Sequence, residues 1–347
     1  MRRILALAEG RFSPLRSKTA NAALVYLKNE VAAVIDSTKA GMTAQDVLGY
    51  GGAVPVVASI REGLAYTPDT LLIGIAPPGG RLPLEWRAWI IEALEAGLDI
   101  CSGLHTILSD DEEFRRTAER CGRTITDWRK IPPEYEVVAK GTWKTRRART
   151  VLTVGSDCNI GKMTTILEVQ KEFARRGIPS DFIGTGQTGI MISGRGVAVD
   201  AVISDYIAGS IERAIDEADQ NGHAYLFVEG QGALTHQGYS GVTYGLLHGT
   251  MPDAMILCHQ PTRLKDDFGA TIPDLPRLIR LHEDAVRFFK PTKVVAIGVN
   301  SIGLTDEESM REAEKITRET GLPAVDAFRF GAVPLADALL SYFQSTP

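Results

Sequence analysis

Short apolar runs alternate with longer stretches of helical periodicity in the first 140 residues. Five runs have the length of buried strands, at residues 4–8, 31–35, 54–58, 71–75 and 99–101. Apolar positions recur at helical spacing over 19–27 and 84–96, and Ser109 followed by three acids predicts the start of a third helix. Strands that alternate with helices predict a parallel sheet covered on both faces, here a Rossmann-like domain.

The same alternation returns after residue 150. Its strand-length apolar runs span residues 151–154, 181–184, 225–228, 253–258, 293–298 and 323–326. Helical patterns cover residues 163–176 and 203–218. The pattern therefore predicts two α/β domains, at residues 1–140 and 150–347, joined by a linker at 141–149.

The strand, turn and helix at residues 151–165 predict a phosphate-binding loop. The strand leads into a turn of glycine and small polar residues, and Gly161-Lys162 then opens the helix. Backbone N–H groups at a helix N-terminus attract an anion, and the lysine adds a point charge. The alternative is an ordinary strand-to-helix turn that happens to contain Gly-Lys.

This loop departs twice from the common motif. Ser156 replaces the first glycine, and Met163, followed by Thr164, replaces the hydroxyl residue that binds magnesium. A backbone cradle tolerates the first change, whereas the second removes a metal ligand. We therefore expect phosphate binding rather than ordinary Mg-ATP hydrolysis and no metal site. The candidate phosphate-binding residues are Ser156, Asp157, Asn159, Gly161, Lys162, Met163 and Thr164.

A second signature is the strand at residues 225–228, which ends in Glu229-Gly-Gln-Gly232. An acid at the end of a strand in the same sheet lies near the phosphates or their metal. Glutamate among glycines is typical of the dethiobiotin-synthetase-like branch of P-loop proteins. The partition-ATPase branch has a signature lysine where this chain has Asp157, so that branch fits less well. A helix-capping or loop acid is the alternative for Glu229.

Further polar residues follow other predicted strands, where ligands of parallel sheets bind. They are Gln187, Thr188, His236, His259, Arg263 and Asn300. For either histidine alone, a structural role is an equal alternative. Three loops of the first domain follow predicted strands, at residues 36–41, 76–80 and 102–105, the last of which contains His105. None has the full glycine fingerprint of a dinucleotide site. These loops are therefore either structural turns or part of a nucleotide site.

The segment before the phosphate loop is basic. Lys144, Arg146 and Arg147 lie in it without a clear hydrophobic period. Charges in a linker are usually solvated. The alternative is that these three side chains help to hold a polyphosphate ligand.

Composition narrows the class of protein. A net charge of −5 provides no broadly basic surface for nucleic acid, and no apolar run approaches the ~20 residues of a membrane span. The basic, apolar N-terminus is interrupted at Glu9, too early for a secretory signal. The four scattered cysteines argue against disulfides or a zinc site and fit the cytoplasm. A homo-oligomer is expected on base rates.

These motifs together resemble a known family. Residues 155–165, Gly186-Gln-Thr-Gly189, Val228-Glu-Gly-Gln-Gly232 and the Rossmann-like first half are similar to a two-domain P-loop family long described as a domain of unknown function. That family includes a D-glutamate N-acetyltransferase. The resemblance covers nearly the whole chain and implies transfer of acetyl from acetyl-CoA to the amine of D-glutamate or a related D-amino acid.

The resemblance also implies roles for individual residues. The loop with Lys162 would hold CoA phosphates, which needs no metal hydroxyl. Glu229 or His236 would be the general base, and Arg263, with Arg195, would bind the substrate carboxylates; Gln187, Thr188 and His259 are further candidates for substrate binding. Cys158 is either a covalent acyl carrier or a small residue that fills the loop.

Two other functions remain open at this point. One is an ATP-dependent ligase or kinase of the dethiobiotin-synthetase type with ATP and Mg²⁺, which Lys162 and Glu229 favour and Met163 weakens. The other is a nucleotide-binding regulator without turnover.

Overall fold

The computed structural model describes residues 2–14, 16–27, 29–75 and 80–345. The chain divides into two compact units, Met1–Lys130 and Ile131–Pro347. The division lies before the predicted domain end at residue 140, and the predicted linker at 141–149 falls inside the second unit.

The first unit contains a six-stranded parallel sheet in the order β3-β2-β1-β4-β5-β6. Its strands are β1 Ile4–Leu7, β2 Val31–Ile35, β3 Val56–Val57, β4 Thr70–Ile73, β5 Asp99–Ser102 and β6 Ile125–Asp127. Its α-helices are α1 Lys18–Tyr26, α2 Ala44–Leu48, α3 Ile60–Gly63, α4 Trp86–Glu95 and α5 Glu112–Cys121. The Rossmann-like prediction is confirmed, although the short and partly exposed β6 was missed.

Three segments of this unit bear on the sequence predictions. The loop after β2 is organised by the fully buried Asp36, whose carboxylate accepts hydrogen bonds from the Phe12 and Thr38 amides. The predicted cap at Ser109 is wrong, because Asp111 accepts from the amides that open α5. The loop at 76–80 lies outside the described residues except for its last glycine.

The second unit contains another six-stranded parallel sheet, in the order β12-β11-β10-β7-β9-β8. Its strands are β7 Arg149–Gly155, β8 Ser180–Ile183, β9 Tyr225–Val228, β10 Ala254–His259, β11 Lys293–Val299 and β12 Ala324–Val325. The central β7 has β9 and β10 as neighbours. Residues that follow these three strands therefore share one edge of the sheet.

Helices cover this second sheet. They are α6 Lys162–Arg175, α7 Gln187–Ser193, α8 Ile207–Asp219, α9 Ser240–Thr250, α10 Leu275–Arg287, α11 Asp306–Thr320, α12 Ala327–Phe330 and α13 Val333–Ser345. Phe173 of α6 packs edge-on against Tyr225 and Phe227 of β9, with ring centroids 5.0 and 4.9 Å away. Such aromatic contacts fix the phosphate-loop helix on the sheet. Each helix in the described part of the chain is too short or too polar to cross a bilayer.

Helix α8 holds the segment that precedes β7. The buried Glu212 carboxylate accepts from the Lys140 and Thr142 amides. Arg146 contacts Asp216 and donates to the Thr250 carbonyl. This segment meets the amino end of β7, and seven strand residues span about 20 Å. The basic side chains are therefore at the opposite edge of the sheet from the phosphate loop, which argues against their holding the same ligand.

Candidate functional site

The loop after β7 has the backbone of a phosphate-binding loop. Its six residues, 156–161, connect Gly155 to the first residue of α6. Asn159 and Gly161 adopt left-handed backbone conformations, with φ of 53° and 95°. Lys162 folds back across the loop and donates from Nζ to the Asp157 carbonyl oxygen at 2.7 Å. The lysine is 5% exposed, so its charge is concentrated at the loop.

The first turn of α6 carries no hydroxyl aimed at this loop in the position that binds magnesium in common P-loops. Met163 occupies that position and is buried. Thr165 lies against the sheet, because a Cβ added at Gly298 would meet its Oγ1 at 2.9 Å. Backbone amides at the start of α6 and the charge of Lys162 are groups that attract an anion.

An ion pair crosses the mouth of the loop. The Asp157 carboxylate is 1% exposed, and the Nε atom of Arg263 lies 2.6 Å from its Oδ2. Arg263 also donates from Nη1 to the Cys158 carbonyl oxygen at 3.3 Å and contacts Asp267 through Nη2. The arginine is thus brought to the loop as expected, but held there by acidic side chains of the protein itself.

His259, the last residue of β10, reaches the same loop. Its Nδ1 lies 2.9 Å from Ser156 Oγ. Burial lowers the pKa of His259 to about 4, so the imidazole is neutral near pH 7. The side chain is a polar but uncharged neighbour of the loop.

Glu229 follows β9 and anchors the next loop. Its Oε2 accepts from the Thr185 and Gly186 amides at 2.9 and 3.2 Å, and the residue is 3% exposed. These contacts hold the backbone just before α7, which begins at Gln187. Gln187 and Thr188 are therefore the first helical residues rather than loop residues.

His236 lies in a closely packed pocket beside the phosphate loop. Its ring is 1% exposed and sits between Tyr239 and Phe268, with centroids 4.9 and 5.0 Å away. The Gly238 amide donates to Nδ1 at 3.2 Å. Tyr239 and Phe268 were missed in the sequence, which has no signal for a loop aromatic packing on a distant histidine.

His236 also joins two residues of the loop itself. Ligand-type atoms of Asp157, Cys158 and His236 all lie within 4.8 Å of one another, and all three residues are buried. Among the described residues they are the group of side chains that could hold a metal ion. Burial raises the pKa of the Cys158 thiol, which favours the protonated form.

Arg195 is not brought to this site. Its Nη1 contacts Asp181 Oδ2 at 3.1 Å, near the amino end of β8, and its side chain is 45% exposed. The reason is the return of the chain after α7, where Gly196 forms a parallel bridge with Gly184. This contact gives no support to the prediction that Arg195 helps to bind substrate carboxylates.

Comparison with known proteins gives consistent matches over both units. The DUF1611 N-terminal family model, described as a Rossmann-like domain of unknown function, matches residues 37–131. The DUF1611 C-terminal model, described as a P-loop domain of unknown function, matches residues 137–336. A crystal structure of a DUF1611 family protein from Anabaena variabilis superposes with a TM-score of 0.93 at 37% identity, covering 98% of this chain and 100% of that one.

Two curated relatives are named D-glutamate N-acetyltransferase. The protein from Tritonibacter scottomollicae is 44% identical over 285 residues, which are 81% of this chain and 84% of the relative. The protein from a Pseudoalteromonas species is 36% identical over 276 residues, with coverage of 79% and 82%. The two domains, the phosphate loop and these relatives show that the chain belongs to the DUF1611 family.

Proposed function

We propose that the chain is an acetyl-CoA-dependent N-acetyltransferase that acts on the amine of D-glutamate or a related D-amino acid. The observation that carries the proposal is the 44% identity, over most of both chains, to a protein named D-glutamate N-acetyltransferase. The local chemistry of the second unit supports it in two ways.

The phosphate loop suits a carrier that bears phosphates but is not hydrolysed. Loop amides and Lys162 attract anionic oxygens. The buried Met163 replaces a magnesium-binding hydroxyl, which a CoA phosphate does not need. CoA would supply an activated acetyl thioester, and the chain would hold its phosphates through these groups.

Arg263 suits a substrate carboxylate. Each of its terminal nitrogens carries two N–H groups, and the contacts with Cys158 and Asp267 engage one on each. Asp267 is 59% exposed, so its contact with Arg263 is one that a substrate carboxylate could replace. An arginine can pair with both oxygens of a carboxylate.

The activity is tested by thiol release. Enzyme, acetyl-CoA and D-glutamate should release free CoA and form N-acetyl-D-glutamate, with L-glutamate as the stereochemical control. Background thiol release across a panel of D-amino acids would refute the proposal. Magnesium-dependent ADP formation from ATP would instead support a ligase or kinase.

The ligand of the loop is tested by calorimetry. CoA should bind without Mg²⁺ and more tightly than ATP. Lys162→Met should weaken CoA binding about tenfold or more, since a charged hydrogen bond contributes ~1.5–3 kcal/mol. Lys171→Met is the matched control, because Lys171 lies on the exposed face of the same helix. Equal CoA affinity of both variants and the wild type would contradict a phosphate role for the loop lysine.

A further inference from the structure

The hydrogen bond from the Gly238 amide fixes the tautomer of His236. A backbone N–H can only donate, so the Nδ1 atom that accepts it must carry a lone pair. The neutral imidazole therefore has its proton on Nε2. In this state Nε2 is a hydrogen-bond donor and has no lone pair in the ring plane.

This tautomer excludes two roles that the position of His236 suggests. A general base must accept a proton at the nitrogen that faces the substrate, and Nε2 already carries one. A metal ligand must present a lone pair, and metal-bound histidines normally donate from their other nitrogen, whereas this one accepts there. In this tautomer His236 offers a donor, and not a lone pair, to the space that it shares with Asp157 and Cys158.

The Nε2–H group has no hydrogen-bond partner within the described ranges of the chain, and it is shielded from solvent. Leaving a buried donor unpaired is unfavourable, so such a group in a native fold calls for an explanation. The aromatic rings of Tyr239 and Phe268 hold the imidazole in place. Phe268 is itself 65% exposed, so the ring on one side of the imidazole is a surface side chain.

We propose that His236 donates a hydrogen bond from Nε2–H to the carbonyl oxygen of the acyl thioester and stabilises the negative charge that collects there. This inference rests on the proposed acetyltransferase function. A fixed, desolvated donor aimed at a developing oxyanion needs no reorganisation during the reaction, which is the most effective electrostatic arrangement for acyl transfer.

The transfer is direct. The ammonium group of the acceptor first loses a proton to solvent. The resulting neutral amine forms an N–C bond to the carbonyl carbon, and the C=O electron pair moves to the oxygen that His236 contacts. When this pair returns, the C–S bond breaks and CoA leaves as a thiolate, which takes up the proton lost by the amine nitrogen. Burial raises the pKa of the Cys158 thiol, which disfavours the thiolate that an acyl-cysteine route would need.

Steady-state kinetics of two variants test the donor role. His236→Phe keeps a ring between Tyr239 and Phe268 but removes the N–H group, whereas His236→Gln keeps an amide N–H. The phenylalanine variant should lose ~100- to ~1,000-fold in kcat with KM changed by less than about threefold, because the contact strengthens only in the transition state. The glutamine variant should recover at least about tenfold of that loss.

The opposite pattern would overturn the inference. A raised KM at nearly unchanged kcat would mean that His236 binds a ground-state phosphate or carboxylate instead. A glutamine variant no more active than the phenylalanine variant would mean that the ring and not the N–H is required. Retained CoA binding, measured by calorimetry, establishes that both variants are folded. Trapping of an acetylated Cys158 would refute direct transfer.

Nitrogen NMR tests the tautomer without relying on activity. With ¹⁵N-labelled histidine at about pH 8, the His236 signals, assigned by their loss in His236→Gln, should show a protonated Nε2 and an unprotonated Nδ1. A protonated Nδ1 would refute the inference and leave the proposed acetyltransferase activity intact. Conversely, a wild-type enzyme with the expected tautomer but without thiol release would refute the acetyltransferase activity. It would also refute the thioester oxygen as the hydrogen-bond acceptor of His236.

Discussion

Gly189 makes the contact between α7 and Glu229 possible, and its replacement by alanine tests how far the fold depends on that contact. A Cβ added there would lie 2.1 Å from Glu229 Oε2 and 3.0 Å from Gly184 Cα. Atoms at 2.1 Å overlap, so the carboxylate has to move. The bonds that Oε2 accepts from the Thr185 and Gly186 amides would then be lost.

The size of the effect follows from those two bonds. Each hydrogen bond to a charged group contributes ~1.5–3 kcal/mol. Alanine regains about 0.5–1 kcal/mol, because glycine is a poor helix residue. We expect Gly189→Ala to lower the free energy of unfolding by about 2–4 kcal/mol, allowing for partial relaxation of the carboxylate. Turnover should fall as well, because the anchored loop borders the candidate site.

A glycine in α9 provides the matched control. A Cβ added at Gly241 would meet nothing within 4 Å, and the residue is helical and exposed. Gly241→Ala should therefore raise the free energy of unfolding by about 0.5–1 kcal/mol. Urea denaturation followed by circular dichroism measures both changes, and hydrogen exchange should show faster exchange of the amides at 185 and 186 only in Gly189→Ala. If the two alanine variants are equally stable and equally protected, the reasoning is refuted.

Three other predictions follow from buried charges and caps. Burial lowers the pKa of His282 to about 4, below its value near 6.5 in the unfolded chain, so the unfolded chain takes up the proton first as pH falls. The free energy of unfolding should therefore decrease as pH drops from about 6.5 to about 4. Urea midpoints measured over this range should decline less steeply for His282→Gln, and an unchanged decline would contradict the prediction. Asp157→Asn removes the buried partner of Arg263 and should lower the free energy of unfolding by about 3 kcal/mol. Asp267→Asn changes a carboxylate that is 59% exposed and should lower it by less than about 1 kcal/mol. Equal urea midpoints of the two variants would refute the distinction. Thr305→Ala removes the capping box of α11 and should lower the same free energy by about 1 kcal/mol, and a midpoint at the wild-type value would show that the cap is dispensable.

Features set by local pattern could be predicted from the sequence. The strand ending at Gly155, the turn and the helix beginning at Lys162 are one continuous segment, and its motif and hydrophobic period specify both the elements and the loop. Placing Glu229 at the same sheet edge needed only the rule that parallel strands end together.

Features set by distant contacts could not be predicted. The ion pair between Asp157 and Arg263 joins residues more than a hundred positions apart, and nothing near Asp157 indicates its partner. Arg195 follows α7 closely enough in sequence to have been predicted near the ligand. The chain after α7 runs back beside Gly184, and the Arg195 side chain contacts Asp181 instead. The donor role proposed for His236 depends on the hydrogen bond from the Gly238 amide to its Nδ1 atom. The residue types in this segment do not specify that hydrogen bond.

The attachment of residues 131–148 to α8 determines where the chain can be cut. Gly209 packs so closely on this segment that a Cβ would lie 1.8 Å from the Val137 carbonyl oxygen, and Ser210 donates to the Tyr135 carbonyl. A recombinant fragment beginning at Thr150, the second residue of β7, would leave the buried Glu212 carboxylate without the two amides it accepts from. An autonomous P-loop fragment should therefore begin near Ile131, about twenty residues before the motif.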